Sequence, residues 1–277
     1  MESIRVVEVL HDRGELAHPR WLLGSGFVVK SGFVITAAHN IGSTASECGP
    51  VRSFVRTLDG IEWAGTCVAR SDEIDLALLA VPEIKVSSVR LARVDRSRID
   101  VVRDVMAVGF PNYKYADERP IAERRQPAQP VGSIPTIEDS SGGHLTLKIE
   151  AGEPAPPSPS GDSPWQGLSG AGVVVGSALV GVVIEHHLAE GLGALRIVPL
   201  TKLQELGGVE RAHFCAILGI EDPEQLPIVG DPEEGDEVLK RIVGDLHDLI
   251  TLSEQGLLSP VELSALKMKA VEKGKGW

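Results

Sequence analysis

From its first residues to about residue 200 the chain is broken into short apolar or β-branched runs, and no stretch there holds a helical period. The runs fall at 5–10, 21–29, 33–36, 53–57, 63–68, 76–81, 105–109, 145–149, 172–175, 178–184 and 194–198, separated by Gly, Pro, Asp and Ser. Many short strands with frequent turns fit an antiparallel sandwich or barrel, while the lack of intervening helices counts against a parallel α/β sheet. The polar, Pro-rich and charged stretch 112–143 reads as a long loop that divides the strands into two groups of similar size. No repeat is visible between the two groups in the sequence itself.

Beyond Pro199-Leu200 the texture changes. A short helix is expected at 201–207, followed by an acidic linker in which 221–237 holds no Lys or Arg and Pro223, Pro227 and Pro232 recur. From Asp236 the period becomes helical, with Leu239, Ile242, Leu246 and Leu249 on one stripe. Gln255-Gly256 ends that helix, and Ser259-Pro260-Val261-Glu262 opens a second with a serine cap, proline at the first helical position and glutamate at the third. The domains expected are therefore 1–205 for the β-rich body, 206–235 for the linker and 236–277 for a helical hairpin. A hairpin so small needs something to dock on, such as a second copy or another protein.

Composition narrows the partners. A net charge of −12 disfavours nucleic acid and anionic membrane surfaces. No apolar run is long enough to cross a bilayer as a helix, and the N-terminus lacks the pattern of a signal peptide. Three cysteines, Cys48, Cys67 and Cys215, are too few and too scattered for a disulfide framework, which points to a reducing cytoplasm.

The chemistry concentrates in three places. In Gly167-Leu168-Ser169-Gly170-Ala171-Gly172 a serine lies between glycines, just before the apolar run Val173-Val174-Val175. Such a turn can present a hydroxyl while the N–H groups of Gly167 and Ser169 converge on one point, the arrangement of a nucleophile with an oxyanion hole. The same residues also fit an ordinary Gly-rich hairpin turn. In Thr36-Ala37-Ala38-His39-Asn40 small residues behind a histidine let the backbone pack closely under an imidazole facing a cleft. In Asp75-Leu76-Ala77-Leu78-Leu79 an acid stands at the lip of an apolar strand, where a carboxylate needs a hydrogen-bond donor such as an imidazole N–H. Asp72, Asp100 and Asp104 lack such a follower and read as surface residues, and His11, His18, His144 and His213 read as structural.

Taken together, in the order histidine, aspartate, serine, these motifs resemble the chymotrypsin/trypsin-like serine peptidase family. Gly24-Ser25-Gly26-Phe27 is similar to the strand before its histidine and Leu179-Val180-Gly181-Val182-Val183 to the strand after its serine. The resemblance spans roughly residues 1–205 and implies an all-β fold of two six-stranded antiparallel barrels, followed here by the small α-helical hairpin. It implies a serine endopeptidase acting on protein or peptide through His39, Asp75 and Ser169, with Gly167 and Ser169 as the oxyanion hole. It places the substrate pocket at Ser163, Ile184, Glu185 and His186, with a neutral floor, although Asp162 adjoins it. No cofactor is expected and no metal, since Glu185-His186-His187 has no third ligand at helical spacing. Leu168 stands where many members carry an aspartate that pairs with a newly cleaved N-terminus, so no such activation is expected. Asn40 replaces a frequent cysteine, and Ala171 a glycine. The hairpin, through Gly256-Leu257-Leu258-Ser259-Pro260-Val261-Glu262-Leu263 with Lys267 and Lys269, resembles the SHOCT domain, a short C-terminal module of bacterial proteins. That resemblance implies an oligomerisation or tethering role, and the pairing of the two modules is similar to effectors of bacterial defence or signalling systems. A catalytically silent, peptidase-like binding module is the alternative reading.

Overall fold

The computed structural model describes residues 2–15, 17–42, 53–112, 125–151, 163–186, 191, 193–229 and 266. Six strands, β1 (Val6–Asp12), β2 (Trp21–Lys30), β3 (Phe33–Ala37), β4 (Ser53–Thr57), β5 (Glu62–Ser71) and β6 (Leu76–Ala80), close into a barrel in the order β1-β2-β3-β6-β5-β4. After β7 (Arg90–Leu91) come β8 (Val101–Val108), β9 (Val131–Pro135), β10 (Leu145–Ala151), β11 (Gly172–Val175), β12 (Ala178–His186) and β13 (Ala194–Pro199). These last six close into a second barrel in the order β8-β9-β10-β13-β12-β11, with β7 added in parallel to β12. Both barrels thus use the same permutation of strands, a repeat of topology that the sequence does not display.

The continuous apolar runs have a direct cause. Along a strand, side chains alternate between faces, and in β6 both faces are buried. Ala77 and Leu79 enter the interior of the first barrel, while Leu76 and Leu78 pack with Val174, Leu179, Val182 and Val198 of the second. In β12 the second barrel does the same, Val180 and Val183 facing its own core and Leu179 and Val182 facing the first barrel. A run that buries every residue is therefore the signature of a strand at the junction of the two barrels. That junction is where the site lies.

Two expectations are corrected. The stretch 112–143 is not one loop, since it contains β9, whose Gly132 lies so close to β10 that a Cβ would fall 1.8 Å from the Lys148 carbonyl oxygen. The stretch 206–235 is not a linker through most of its length. It forms α1 (Gly208–Leu218), closed by Gly219 in the left-handed conformation, with Phe214, Cys215 and Leu218 buried against the body. Ile228 then forms a parallel bridge with Arg93, and the first compact unit runs from Met1 to Val229. The apolar residues Phe214, Leu218 and Ile220 recur among charged ones, and it is their burial, not the charge of the stretch, that decides its structure. The second unit is Gly230–Trp277. The helical-hairpin expectation lies outside the described residues apart from Leu266, which is helical and exposed.

Candidate active site

β3 ends at Ala37 and continues directly into a 3₁₀ turn, Ala38–Ile41, that carries His39. Ala37 and Ala38 are fully buried, so the turn is packed tightly behind an imidazole that is itself half exposed. Asp75 precedes β6 with φ of 53°, a left-handed conformation that aspartate tolerates better than most residues. It holds the histidine turn at three points. Its Oδ2 lies 2.7 Å from His39 Nδ1, its Oδ1 accepts the His39 N–H at 3.0 Å, and its carbonyl accepts the Ala38 N–H at 3.1 Å. With Nδ1–H donated to the carboxylate, the lone pair of the ring is on Nε2. That is the tautomer a general base requires.

Ser169 reaches the same place from the second barrel. Its carbonyl accepts the Ser25 N–H at 2.8 Å and the Asn40 side-chain amide at 2.7 Å, so two residues of the first barrel fix the nucleophile's backbone. The Asn40 amide also donates to Thr36 Oγ1, which donates to the Ser25 carbonyl at 2.7 Å. Gly170 follows with φ of 91°, and a Cβ there would lie 1.9 Å from the Ser25 carbonyl oxygen, so both conformation and space demand glycine. The Ser169 hydroxyl donates to the Ile184 carbonyl at 3.0 Å. Among the described residues no hydrogen bond joins it to His39.

The turn before the serine is held from outside. The Gln166 carbonyl accepts the Asn112 N–H at 2.6 Å and the Gly167 carbonyl accepts the Ser25 hydroxyl at 2.8 Å. Among the described residues the N–H groups of Gly167 and Ser169 have no hydrogen-bond acceptor within the protein.

Of the residues expected to form the substrate pocket, Ser163 and His186 are joined directly. Ser163 Oγ lies 2.8 Å from His186 Nδ1, and His186 Nε2 donates to the Gly191 carbonyl at 2.9 Å. His186 therefore spans from the Ser163 loop to Gly191. Ile184 contributes its carbonyl beside Ser169. Glu185 does not join them, because it points outward and pairs with Arg196 at 3.1 Å. Asp162 and His187 lie outside the described residues, within which no group of three His, Cys, Asp or Glu is placed to hold a metal ion.

Ser25, Thr36, Asn40 and Arg125 were not among the expected functional residues. Glu8 was the one available signal, an acid inside the apolar run Val6-Val7-Glu8-Val9-Leu10. It is buried and paired to the buried Arg125 and to Arg56.

The profile of a family described as a trypsin-like peptidase domain matches residues 24–182, more than half of the chain. Among solved structures the chain is similar to the serine endoprotease from Yersinia pestis, with 19% identity, 73% of this chain and 62% of that chain covered, and a TM-score of 0.48. It is also similar to the Rv3671c protease in an inactive form, with 18% identity, 78% and 90% covered, and a TM-score of 0.48. A second inactive structure of Rv3671c, from M. tuberculosis, gives 18% identity, 78% and 87% covered, and a TM-score of 0.44. The chain spans 62% of the length of the Yersinia protein. No curated protein matches the sequence.

Proposed function

Because the chain belongs to the trypsin-like peptidase domain family, we propose that it is a serine endopeptidase cleaving protein or peptide substrates through His39, Asp75 and Ser169. The observation that carries the reading is the 2.7 Å contact between His39 Nδ1 and Asp75 Oδ2, in a turn that also holds the backbone of Ser169 through Asn40. His39 takes the Ser169 proton through Nε2 as the hydroxyl oxygen attacks the substrate carbonyl carbon. Asp75 keeps the imidazole in the required tautomer and stabilises the imidazolium that forms. The N–H groups of Gly167 and Ser169 receive the negative charge that develops on the carbonyl oxygen, a role worth about 3 kcal/mol per donor in comparable sites. Collapse of the tetrahedral adduct expels the amine, which takes its proton from His39, and water then releases the acyl group by the same steps in reverse order.

A cytoplasmic setting is supported by the cysteine pattern, in which Cys67 and Cys215 are free thiols. An effector role in bacterial defence or signalling, with the 236–277 segment recruiting a partner or a second copy, rests on analogy of the two modules.

One observation favours the alternative of a silent, peptidase-like binding module. The Ser169 hydroxyl donates to Ile184 and not to His39. Labelling with a fluorophosphonate probe separates the two readings. An enzyme acquires the label on Ser169, with Ser169→Ala and His39→Ala unlabelled. An intact chain whose wild type stays unlabelled across neutral pH is not a serine peptidase in this state.

A further inference from the structure

The orientation of the Gln166–Gly167 peptide decides whether the Gly167 N–H faces the cleft. In a planar trans peptide the N–H and C=O point in opposite directions. With the Gln166 carbonyl held by the Asn112 N–H at 2.6 Å, the Gly167 N–H must point away from Asn112. The next peptide is held as well, since the Gly167 carbonyl accepts the Ser25 hydroxyl at 2.8 Å. Gly167 sits between these two anchors with φ of 89°.

Both anchors lead back to the first barrel. Ser25 belongs to β2 and is fully buried, and its hydroxyl also accepts the Phe110 N–H at 2.8 Å. Removing that oxygen would leave two buried backbone groups, the Phe110 N–H and the Gly167 carbonyl, without this partner. Asn112 is held by Arg125, whose Nη1 donates to Asn112 Oδ1 at 3.1 Å and to the Phe110 carbonyl at 2.6 Å. Arg125 Nη2 donates to the Gly24 carbonyl at 2.9 Å, and its Nε is paired with Glu8 of β1. The guanidinium is pressed against the turn so closely that a Cβ on Gly167 would lie 2.1 Å from Nη1.

We propose that Ser25 of the first barrel, and Arg125 of the β8–β9 connection braced by Glu8 of the first barrel, are positioning residues that hold the oxyanion turn, one on each side of Gly167. In this chain Leu168 is fully buried in the core of the second barrel and offers no carboxylate to anchor the turn from within. The anchoring is supplied from outside, by a hydroxyl and a guanidinium. The consequence is that the first barrel, which carries His39, also helps to position the nucleophile's own loop.

The inference rests on the peptidase reading for its effect on rate, but its geometric core does not. Crystal structures of the full chain carrying Ser25→Ala or Arg125→Met test the geometry directly. The Gln166–Gly167 peptide is expected to rotate or lose its order, with the His39–Asp75 contact intact. A turn unchanged in both variants overturns the proposal, whether or not the chain cleaves anything. On a small peptide substrate, kcat of Ser25→Ala is expected to fall about 10²–10³-fold with KM nearly unchanged, the size of losing an oxyanion donor. Affinity for a peptide boronate, which places an oxygen anion in the hole, should fall in parallel, while affinity for the product peptide should hold. A merely structural role would lower the melting temperature and leave that ratio of affinities alone, and that result also overturns the proposal. Absence of fluorophosphonate labelling in the wild type would instead sink the peptidase reading, with the crystallographic result still deciding the positioning of the turn.

Discussion

The side-chain amide of Asn40 donates to the carbonyl oxygen of Ser169 at 2.7 Å, so the residue after the base holds the backbone of the nucleophile. The contact crosses from one barrel to the other, and Asn40 itself is buried. It also explains why position 24 is glycine, since a Cβ on Gly24 would lie 2.2 Å from the Asn40 side chain.

That steric relation gives a double-mutant cycle. Asn40→Ala should destabilise by about 1–3 kcal/mol, because the Ser169 carbonyl and Thr36 lose a buried donor. Gly24→Ala should destabilise by at least as much, because neither the backbone nor a buried amide can yield by the overlap described. In the double variant the new methyl enters the space Asn40 has left, so the two costs should fall short of their sum by about 0.5 kcal/mol or more, the scale of coupling between residues in contact. Urea titration of the four proteins measures this, and strict additivity would show that the two side chains do not meet.

Asp75→Asn should fold normally and lose about four orders of magnitude in kcat, the known size of the effect when the orienting aspartate of a serine peptidase triad becomes asparagine. An asparagine can present its amide to Nδ1 and so favour the opposite tautomer, leaving no lone pair at Nε2. Turnover within tenfold of wild type would remove Asp75 from the mechanism.

The three catalytic candidates and the two-barrel fold were legible because each leaves a local mark. His39 follows two buried alanines, Asp75 opens a strand buried on both faces, and Ser169 lies among glycines that the turn requires. The supporting residues leave none. Ser25 reads as one polar residue in a strand, and its four partners, Gly167, Phe110, Ser169 and Thr36, lie from 11 to 144 positions away. Arg125 sits among other charged residues and becomes distinctive only once burial selects it to meet Glu8. Long-range pairing of polar groups has no period, so neither helical nor strand patterning could find it.

Burial holds the His144 imidazole below its ordinary value, and the positive charges of Lys202 and Arg196 act in the same direction. The folded chain therefore binds this proton less readily than the unfolded chain does. The favourable balance is present above about pH 6.5 and is lost as pH falls below it. His144→Gln removes the titration, so the decline in stability between about pH 7 and pH 5 should become shallower. Thermal melts at half-unit pH steps decide this, and an identical slope in both proteins would refute it.

Activity should need no freshly cut N-terminus. A new α-amino group stabilises an active loop by pairing with a carboxylate, and Leu168, in the position before the nucleophile, is buried among Trp165, Val173 and Val183. Mass spectrometry of the labelled, active species should return the uncut chain. Leu168→Asp should destabilise the second barrel by burying an unpaired charge, and should gain no activity.

The catalytic unit should end at Val229, not near residue 205. Arg93 exchanges backbone bonds with Pro227 and Val229 at 2.8 and 2.9 Å and donates its side chain to the Leu226 carbonyl at 3.1 Å. Ile220 and Val229 are buried, and Ile220 packs with Phe214 and Leu218 of α1 over Leu203 and Leu206. A chain ending at Gly219 loses these contacts and should be less stable by a few kcal/mol, lowering its melting temperature by roughly 5–10 °C. A chain ending at Val229 keeps them, so its melting temperature and its turnover of a small peptide should match those of the full chain. If the 236–277 segment serves association, light scattering should find the full chain larger than its own mass and the chain ending at Val229 monomeric. Equal association states would leave the segment without that role. Loss of turnover on cutting at Val229 would instead mean that residues beyond it support the cleft.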